Sequence, residues 1–109
     1  WDIRPGSEAD WAACMEVWHR SAGMAHAFLG AEALQRQSED IRRRFLPSSR
    51  VVVADVRGTV VAFAAWLEDA QQAELGGLFV DPSWQGRGLG TELLRSSAPH
   101  NRPVCVHVY

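Results

Sequence analysis

One stretch, residues 78–94, constrains the fold more than any other part of this 109-residue chain. Its apolar start, Leu78 to Val80, is typical of the end of a buried strand, and Asp81-Pro82 stops that strand because proline cannot donate to a β-ladder. Glycine then occupies positions 86, 88 and 90, where the backbone is free to take positive φ. Leucines follow at helical spacing. We therefore predict a strand, a glycine-rich turn and a helix.

The turn is predicted to bind an anion. The first N–H groups of a helix have no intrahelical acceptor, and the aligned peptide dipoles place roughly half a positive charge at that end. Phosphate or pyrophosphate suits such a position.

The spacing of the glycines distinguishes between three known kinds of phosphate-binding turn. A Walker A loop needs Gly-Lys-Ser/Thr, and this chain contains no lysine. In a dinucleotide fingerprint, G-x-G-x-x-G, the third glycine would come one residue later than it does here. The pattern Gln/Arg-x-x-Gly-x-Gly/Ala is met by Gln85, Gly88 and Gly90. A glycine turn without a ligand, or one for another nucleotide, is the alternative.

With these residues the sequence resembles the GCN5-related N-acetyltransferase (GNAT) superfamily, whose pyrophosphate loop for acetyl-coenzyme A has this form and place. The resemblance implies acetyl-coenzyme A as the acetyl donor. It also implies that the strand before the loop splays from its neighbour and binds the pantetheine arm through free amides. The donor-binding residues would be Leu78, Phe79, Val80, Gln85, Gly86, Arg87, Gly88, Leu89, Gly90 and Thr91.

Composition limits the remaining possibilities. The length suits one domain, residues 1–109, and a net charge of −2 gives no reason to expect nucleic acid or an anionic membrane as a partner. Cys14 and Cys105 are the two cysteines, which we expect to be reduced core thiols, and no spacing predicts a metal site. The chain has no run of 18 apolar residues and no signal peptide, so we expect a cytoplasmic protein.

Hydrophobic periodicity and turn residues predict the remaining elements. Ser7 and Asp10 form a capping box for the first helix, Gly23 ends that helix, and Pro47 breaks the second. Gly76-Gly77 predicts a β-bulge or a close approach of ligand to backbone. The predicted helices cover residues 7–22, 31–45 and 88–97, and the strands cover 1–4, 51–56, 59–68, 73–80 and 104–108.

This order, β-α-α-β-β-β-α-β, is similar to the GNAT topology from its first strand to its fifth. The resemblance implies an α/β (α+β) fold with a mixed, mostly antiparallel sheet flanked by helices. A complete member continues with a helix and a final pair of strands. We therefore expect that the chain lacks the C-terminal part of the fold.

A second resemblance concerns the residues that would bind the acetyl acceptor. Val17-Trp18-His19-Arg20-Ser21 followed by His26-Ala27-Phe28-Leu29 is similar to a subgroup of small bacterial acetyltransferases. The resemblance implies that His26 and Phe28 line the acceptor pocket. The alternative is that Phe28 is a core residue and His26 a hydrogen-bonded loop residue.

Acyl transfer to an amine needs a base. Glu74 lies eleven residues before Gln85, the offset at which the histone-acetylating branch of the superfamily carries its glutamate base. The alternative is that Glu74 is a carboxylate at the end of a strand, in contact with water, and is not the base. The family's tyrosine acid lies on the helix after the fifth strand, and Tyr109 comes too early for that position.

Two functions from different classes follow. The first is an N-acetyltransferase that moves an acetyl group from acetyl-coenzyme A to a primary amine of a small molecule or peptide by direct attack. The second is a non-catalytic acyl-coenzyme A binding or sensing module of the same fold. The sequence leaves open whether the protein forms a homodimer.

Overall fold

The computed structural model of the chain describes residues 1–25, 36, 39–68, 73–98 and 104–106. The described strands form a five-stranded sheet in the order β1-β2-β3-β4-β5. The first four strands pair antiparallel, and β5 pairs parallel to β4. This confirms the predicted mixed, mostly antiparallel sheet. The strands are β1 Asp2–Pro5, β2 Arg50–Val56, β3 Thr59–Glu68, β4 Ala73–Val80 and β5 Val104–Val106.

The predicted hairpin between β2 and β3 is confirmed. Arg57 and Gly58 both have positive φ, 52° and 88°, as in a type I′ turn, whose twist matches that of the two strands. The Gly58 N–H donates to the Asp55 carboxylate at 2.6 Å, which holds the turn closed.

Two β-bulges interrupt the sheet. In β3, Val61 is an extra residue between the pairs Ala54–Ala62 and Asp55–Val60. In β4, Gly76 is an extra residue between the pairs Ala65–Gly77 and Trp66–Leu75. The bulge predicted at Gly76-Gly77 is therefore confirmed, and each bulge reverses which face of the sheet the next residues occupy.

The first helix begins after a 3₁₀ turn, Glu8–Asp10, and α1 covers Trp11–Ala25. The Ser7 N–H donates to the Asp10 carboxylate at 2.9 Å, so the predicted capping contact is present. The predicted end at Gly23 is wrong. A glycine inside a helix costs about 1 kcal/mol relative to alanine, which neighbouring interactions can offset, so glycine alone does not end a helix.

The second predicted helix is described only in part, because residues 31–35, 37 and 38 lie outside the described residues. It does not end at residue 45 as predicted. A π-helical turn, Ile41–Phe45, runs into a short helix, α2, Leu46–Ser48. The Leu46 N–H donates to the Ile41 carbonyl, five residues back, so the bonding pattern has already changed before Pro47, which has no N–H to continue it.

Both faces of the sheet are covered. The side chains of α1 and Leu46 pack on one face, which we call the α1 face, against residues that include Val53, Phe63 and Ala65. The third helix, α3, Leu89–Ser97, packs on the opposite face, which we call the α3 face, where Leu89 and Leu93 contact a cluster that includes Ala64 and Trp66. Among the described residues, no helix is long and apolar enough to span a membrane.

Candidate functional site

The strand, turn and helix predicted for residues 78–94 are present. β4 ends at Val80, a 3₁₀ turn covers Pro82–Trp84, and Gly88 caps α3. Gly86 and Gly88 have φ of 80° and 79°. A Cβ at either glycine would have no heavy atom within 4 Å. These two positions favour glycine because of their backbone conformation and not because space is short.

We call residues 85–91 the glycine loop. The first helical bond of α3 runs from the Glu92 N–H to the Gly88 carbonyl at 3.1 Å, so the amides of Leu89, Gly90 and Thr91 precede the intrahelical ladder. Within the described residues, no main-chain carbonyl accepts from the amides of Gly86, Arg87 or Gly88. Residues 85–88 are exposed. The loop therefore presents a run of unpaired amides at the positive end of a helix, an arrangement that fits a diphosphate.

Gly90 has a different role from the other two glycines. It lies in the first turn of α3, and its φ is not positive. A Cβ at Gly90 would lie 3.6 Å from Val80 Cγ2 and 4.0 Å from Leu78 Cδ2. Both are ordinary contact distances, so neither space nor backbone conformation requires glycine at this position.

The buried residue Asp81 anchors the start of the loop. Its N–H donates to the carbonyl of the bulged residue Val61 at 2.8 Å, and its carboxylate accepts from the Ser83 N–H at 3.0 Å and the Ser83 hydroxyl at 2.8 Å. Arg20 of α1 also donates to this carboxylate. Burial acts to raise the pKa of Asp81, but the hydrogen bonds from Ser83 and Arg20 outweigh it and hold the pKa below its ordinary value.

Gln85 braces the loop against the strand. Its side-chain amide donates to the Val80 carbonyl at 3.1 Å, and its backbone N–H donates to the Pro82 carbonyl at 3.4 Å. Both donors already have protein acceptors, so the unpaired amides begin at Gly86.

The side chains of several predicted donor-binding residues lie in the core. Leu78, Val80 and Leu89 pack on the α3 face, and Phe79 packs on Phe63 with ring centroids 5.2 Å apart. A ligand at the loop would therefore contact these residues chiefly through their backbone. The Phe79 ring also lies close to the backbone of Gly77, because a Cβ at position 77 would lie 2.5 Å from that ring.

An aromatic and cationic group borders the loop. The Arg87 guanidinium lies 4.8 Å from the centre of the Trp84 ring, and Trp1 packs edge-on against Trp84 at 6.3 Å. The Trp1 indole N–H donates to the carboxylate of Glu92. These contacts hold the exposed Arg87 side chain on one side of the loop.

Glu74 lies on β4, half-buried, opposite Leu67 of β3 and Cys105 of β5. The bulge at Gly76 places Glu74 on the α1 face, the same face as Phe79. β5 pairs with β4 from Ala73 to Leu75, and the described part of β5 ends at Val106. The splay of the two strands beyond that point stays a prediction, and His26 and Phe28 lie outside the described residues.

Sequence reasoning missed Arg20 and the anchoring role of Asp81. The Asp-Pro-Ser sequence was a usable signal, because an aspartate commonly accepts from the N–H two residues later. Arg20 had no such signal, since it lies 61 residues from Asp81 in the chain.

This sheet order, with helices on both faces and a glycine loop between a central strand and a helix, defines an acetyltransferase fold. The chain belongs to the GNAT family, because the model of the family described as "Acetyltransferase (GNAT) family" matches residues 11–100. No curated protein matches the chain.

Solved structures show the same fold. A PaiA N-acetyltransferase from Thermoplasma acidophilum in complex with coenzyme A is 20% identical, with a TM-score of 0.76, over 87% of this chain and 67% of that one. Apo YjaB from Escherichia coli is 30% identical, with a TM-score of 0.69, over 90% and 66%. A Brucella melitensis GNAT acetyltransferase in complex with acetyl-coenzyme A is 23% identical, with a TM-score of 0.65, over 87% and 64%. The chain thus spans about two thirds of the length of these structures.

Proposed function

We propose that this protein is an N-acetyltransferase that transfers an acetyl group from acetyl-coenzyme A to a primary amine of a small molecule or peptide. The observation that carries the proposal is the run of unpaired amides from Gly86 to the first turn of α3, which begins in the exposed residues 86–88. Two of the solved structures with this fold contain coenzyme A or acetyl-coenzyme A, which supports this choice of donor.

The glycine loop would bind the diphosphate of the donor. Its amides donate hydrogen bonds to phosphate oxygens, and hydrogen bonds to charged acceptors are roughly twice as strong as neutral ones. The N-terminus of α3 adds its positive partial charge. The left-handed conformations of Gly86 and Gly88 are what let successive amides point toward one ligand. When bound, acetyl-coenzyme A supplies the acetyl group as a thioester.

The acceptor amine must lose a proton to react. An amine like that of lysine has a pKa of about 10.4, so holding it neutral at pH 7 costs roughly 4 to 5 kcal/mol unless a base takes the proton. We propose Glu74 as that base. It lies on the α1 face of β4, whose far end leads into the glycine loop. His26 and Phe28, which follow α1 in the chain, remain the proposed acceptor residues.

Titration calorimetry with coenzyme A tests the donor site, with ATP and NAD as competitors. We expect coenzyme A to bind and neither nucleotide to displace it at equal concentration. Displacement by ATP or NAD would point to a phosphate-binding turn for another nucleotide. Absence of any coenzyme A binding by the folded protein would overturn the proposal.

A thiol-release assay with acetyl-coenzyme A and a panel of amines and peptides tests the reaction. Release that depends on one class of amine would support the transferase and name its acceptor. Binding of coenzyme A without release for any amine would favour the non-catalytic acyl-coenzyme A binding module.

A further inference from the structure

We infer that Arg20 is a positioning residue, which acts through Asp81 to hold the glycine loop in the shape that binds a diphosphate. The inference rests on the proposed function. Arg20 lies on α1, on the other side of the sheet from α3, and its Nη1 atom lies 2.5 Å from Asp81 Oδ2. The pair joins the helix that leads toward the proposed acceptor residues to the loop that would bind the donor.

Asp81 is the point from which the loop is built. Its N–H, its carbonyl and its carboxylate are all engaged, since the carbonyl accepts from the Trp84 N–H at 2.8 Å in addition to the contacts with Val61 and Ser83. Only the turn Pro82–Trp84 and Gln85 separate it from the first glycine of the loop. A small displacement of Asp81 would therefore be passed directly to the amides that follow.

The charge of Asp81 explains why it needs Arg20. The Asp81 side chain is 8% exposed, and the carboxylate lies beside a loop that must attract an anion. Without a cation, a buried negative charge is unfavourable, and it would also repel the diphosphate. Arg20 supplies that cation from an exposed position, and the hydrogen bond with Asp81 raises the pKa of Arg20, so the pair stays charged.

The contribution of the pair should appear in ligand affinity more than in overall stability. The Arg20 side chain is 54% exposed, and in Arg20→Ala the Asp81 carboxylate would keep both hydrogen bonds from Ser83, so the free energy of unfolding should fall only modestly. The loop amides, in contrast, bind only while they converge on one position.

Coenzyme A affinity measured by calorimetry tests this inference in four variants. We expect Arg20→Ala to raise the Kd about five- to tenfold, Arg20→Lys to recover most of the affinity, and the thermal unfolding midpoint to change little. Asp81→Asn is the discriminating variant. Removing a negative charge near an anion would tighten binding if charge alone mattered, whereas loss of the Arg20 contact should weaken binding. The double variant Arg20→Ala/Asp81→Asn should bind coenzyme A no more weakly than the weaker-binding single variant, because both single substitutions remove the same interaction.

Glu16→Gln is the matched control. Glu16 is the second carboxylate that Arg20 contacts, at 3.3 Å on the exposed surface of α1. The Glu16→Gln substitution should leave the Kd for coenzyme A unchanged. Amide hydrogen exchange without ligand gives a second readout, since the hydrogen-bonded amides of Ser83, Trp84 and Gln85 should exchange faster in Arg20→Ala than in the wild type.

Each outcome is decisive. A Kd for Arg20→Ala within twofold of the wild type, tighter binding by Asp81→Asn, or an equal loss in Glu16→Gln would overturn the positioning role and leave the donor site intact. A folded wild-type protein that does not bind coenzyme A would remove the proposed function and this inference together.

Discussion

Glu74 and Phe79 lie on the same face of β4, although strict alternation along the strand would place them on opposite faces. The extra residue Gly76 between them shifts the register with β3, so Glu74 lies opposite Leu67 and Phe79 opposite Phe63. Without the bulge, Glu74 would lie on the α3 face with Leu78 and Val80. The bulge thus decides on which side of the sheet the proposed base lies.

Replacing the Glu74 carboxylate tests its proposed role as the base. Glu74→Gln should lower kcat by about 100-fold, the lower end of the range for a general base, because an amide side chain cannot accept the proton of the amine. Steady-state rates of wild type and variant at one pH would measure this effect. Glu68→Gln is the control, because Glu68 lies on β3 near the same end of the sheet and pairs with Arg50. An unaltered kcat in Glu74→Gln would remove this residue from the mechanism.

Two glycines of the loop should respond differently to the same substitution. Gly88→Ala forces a Cβ into a left-handed conformation, which costs about 1 to 2 kcal/mol, and should weaken coenzyme A binding at least tenfold, or about 1.4 kcal/mol. Gly90→Ala places its Cβ at an ordinary contact distance from Val80 and should keep the affinity within about threefold. Calorimetry on both variants measures the difference. Equal affinities in the two folded variants would show that the conformation of Gly88 does not matter for the donor.

Stability at low pH should depend on Asp10. Hydrogen bonds from Arg4 lower the pKa of Asp10 from its ordinary value of 3.8 to about 2. Because the folded pKa is the lower one, the stabilisation is complete above pH 4 and is lost as the pH falls toward 2. Asp10→Asn should therefore be less stable than the wild type by about 1 kcal/mol at pH 6, a value reduced for solvent screening, and about equal to it at pH 2. Urea unfolding at several pH values measures this, and a pH-independent difference would contradict it.

The Cys14 thiol should resist alkylation in the folded protein. It is a free thiol and fully buried, and burial raises its pKa to about 12, so almost no thiolate forms at pH 8. A Cys105→Ser background isolates Cys14. We expect iodoacetamide to modify it in 6 M urea but not in buffer, with mass spectrometry as the readout. Rapid modification of the native protein would mean that the α1 face of the core opens readily.

Most of the fold could be predicted because its signals are local. The β2–β3 hairpin follows from Arg57-Gly58, the glycine loop from the residues between Val80 and Leu93, and the first helix from one apolar stripe. The predicted helix ends at Gly23 and residue 45 were wrong, because one glycine costs too little to end a helix and because the hydrogen-bond pattern changes at Ile41–Phe45 without ending the helical path. The reduced state expected for Cys14 is consistent with a buried thiol, whereas the side chain of Cys105 lies outside the described residues.

The amino-acid sequence by itself determined the glycine loop, because positive φ and an open helix N-terminus depend on residues that are neighbours in the chain. The tertiary structure decided which groups support that loop and on which face of the sheet the proposed base lies. Arg20 reaches Asp81 only when α1 packs on the sheet, and Glu74 lies on the α1 face only when β3 and β4 pair with a bulge. Contacts between distant parts of the chain depend on register and packing, and no local pattern of residues specifies either one.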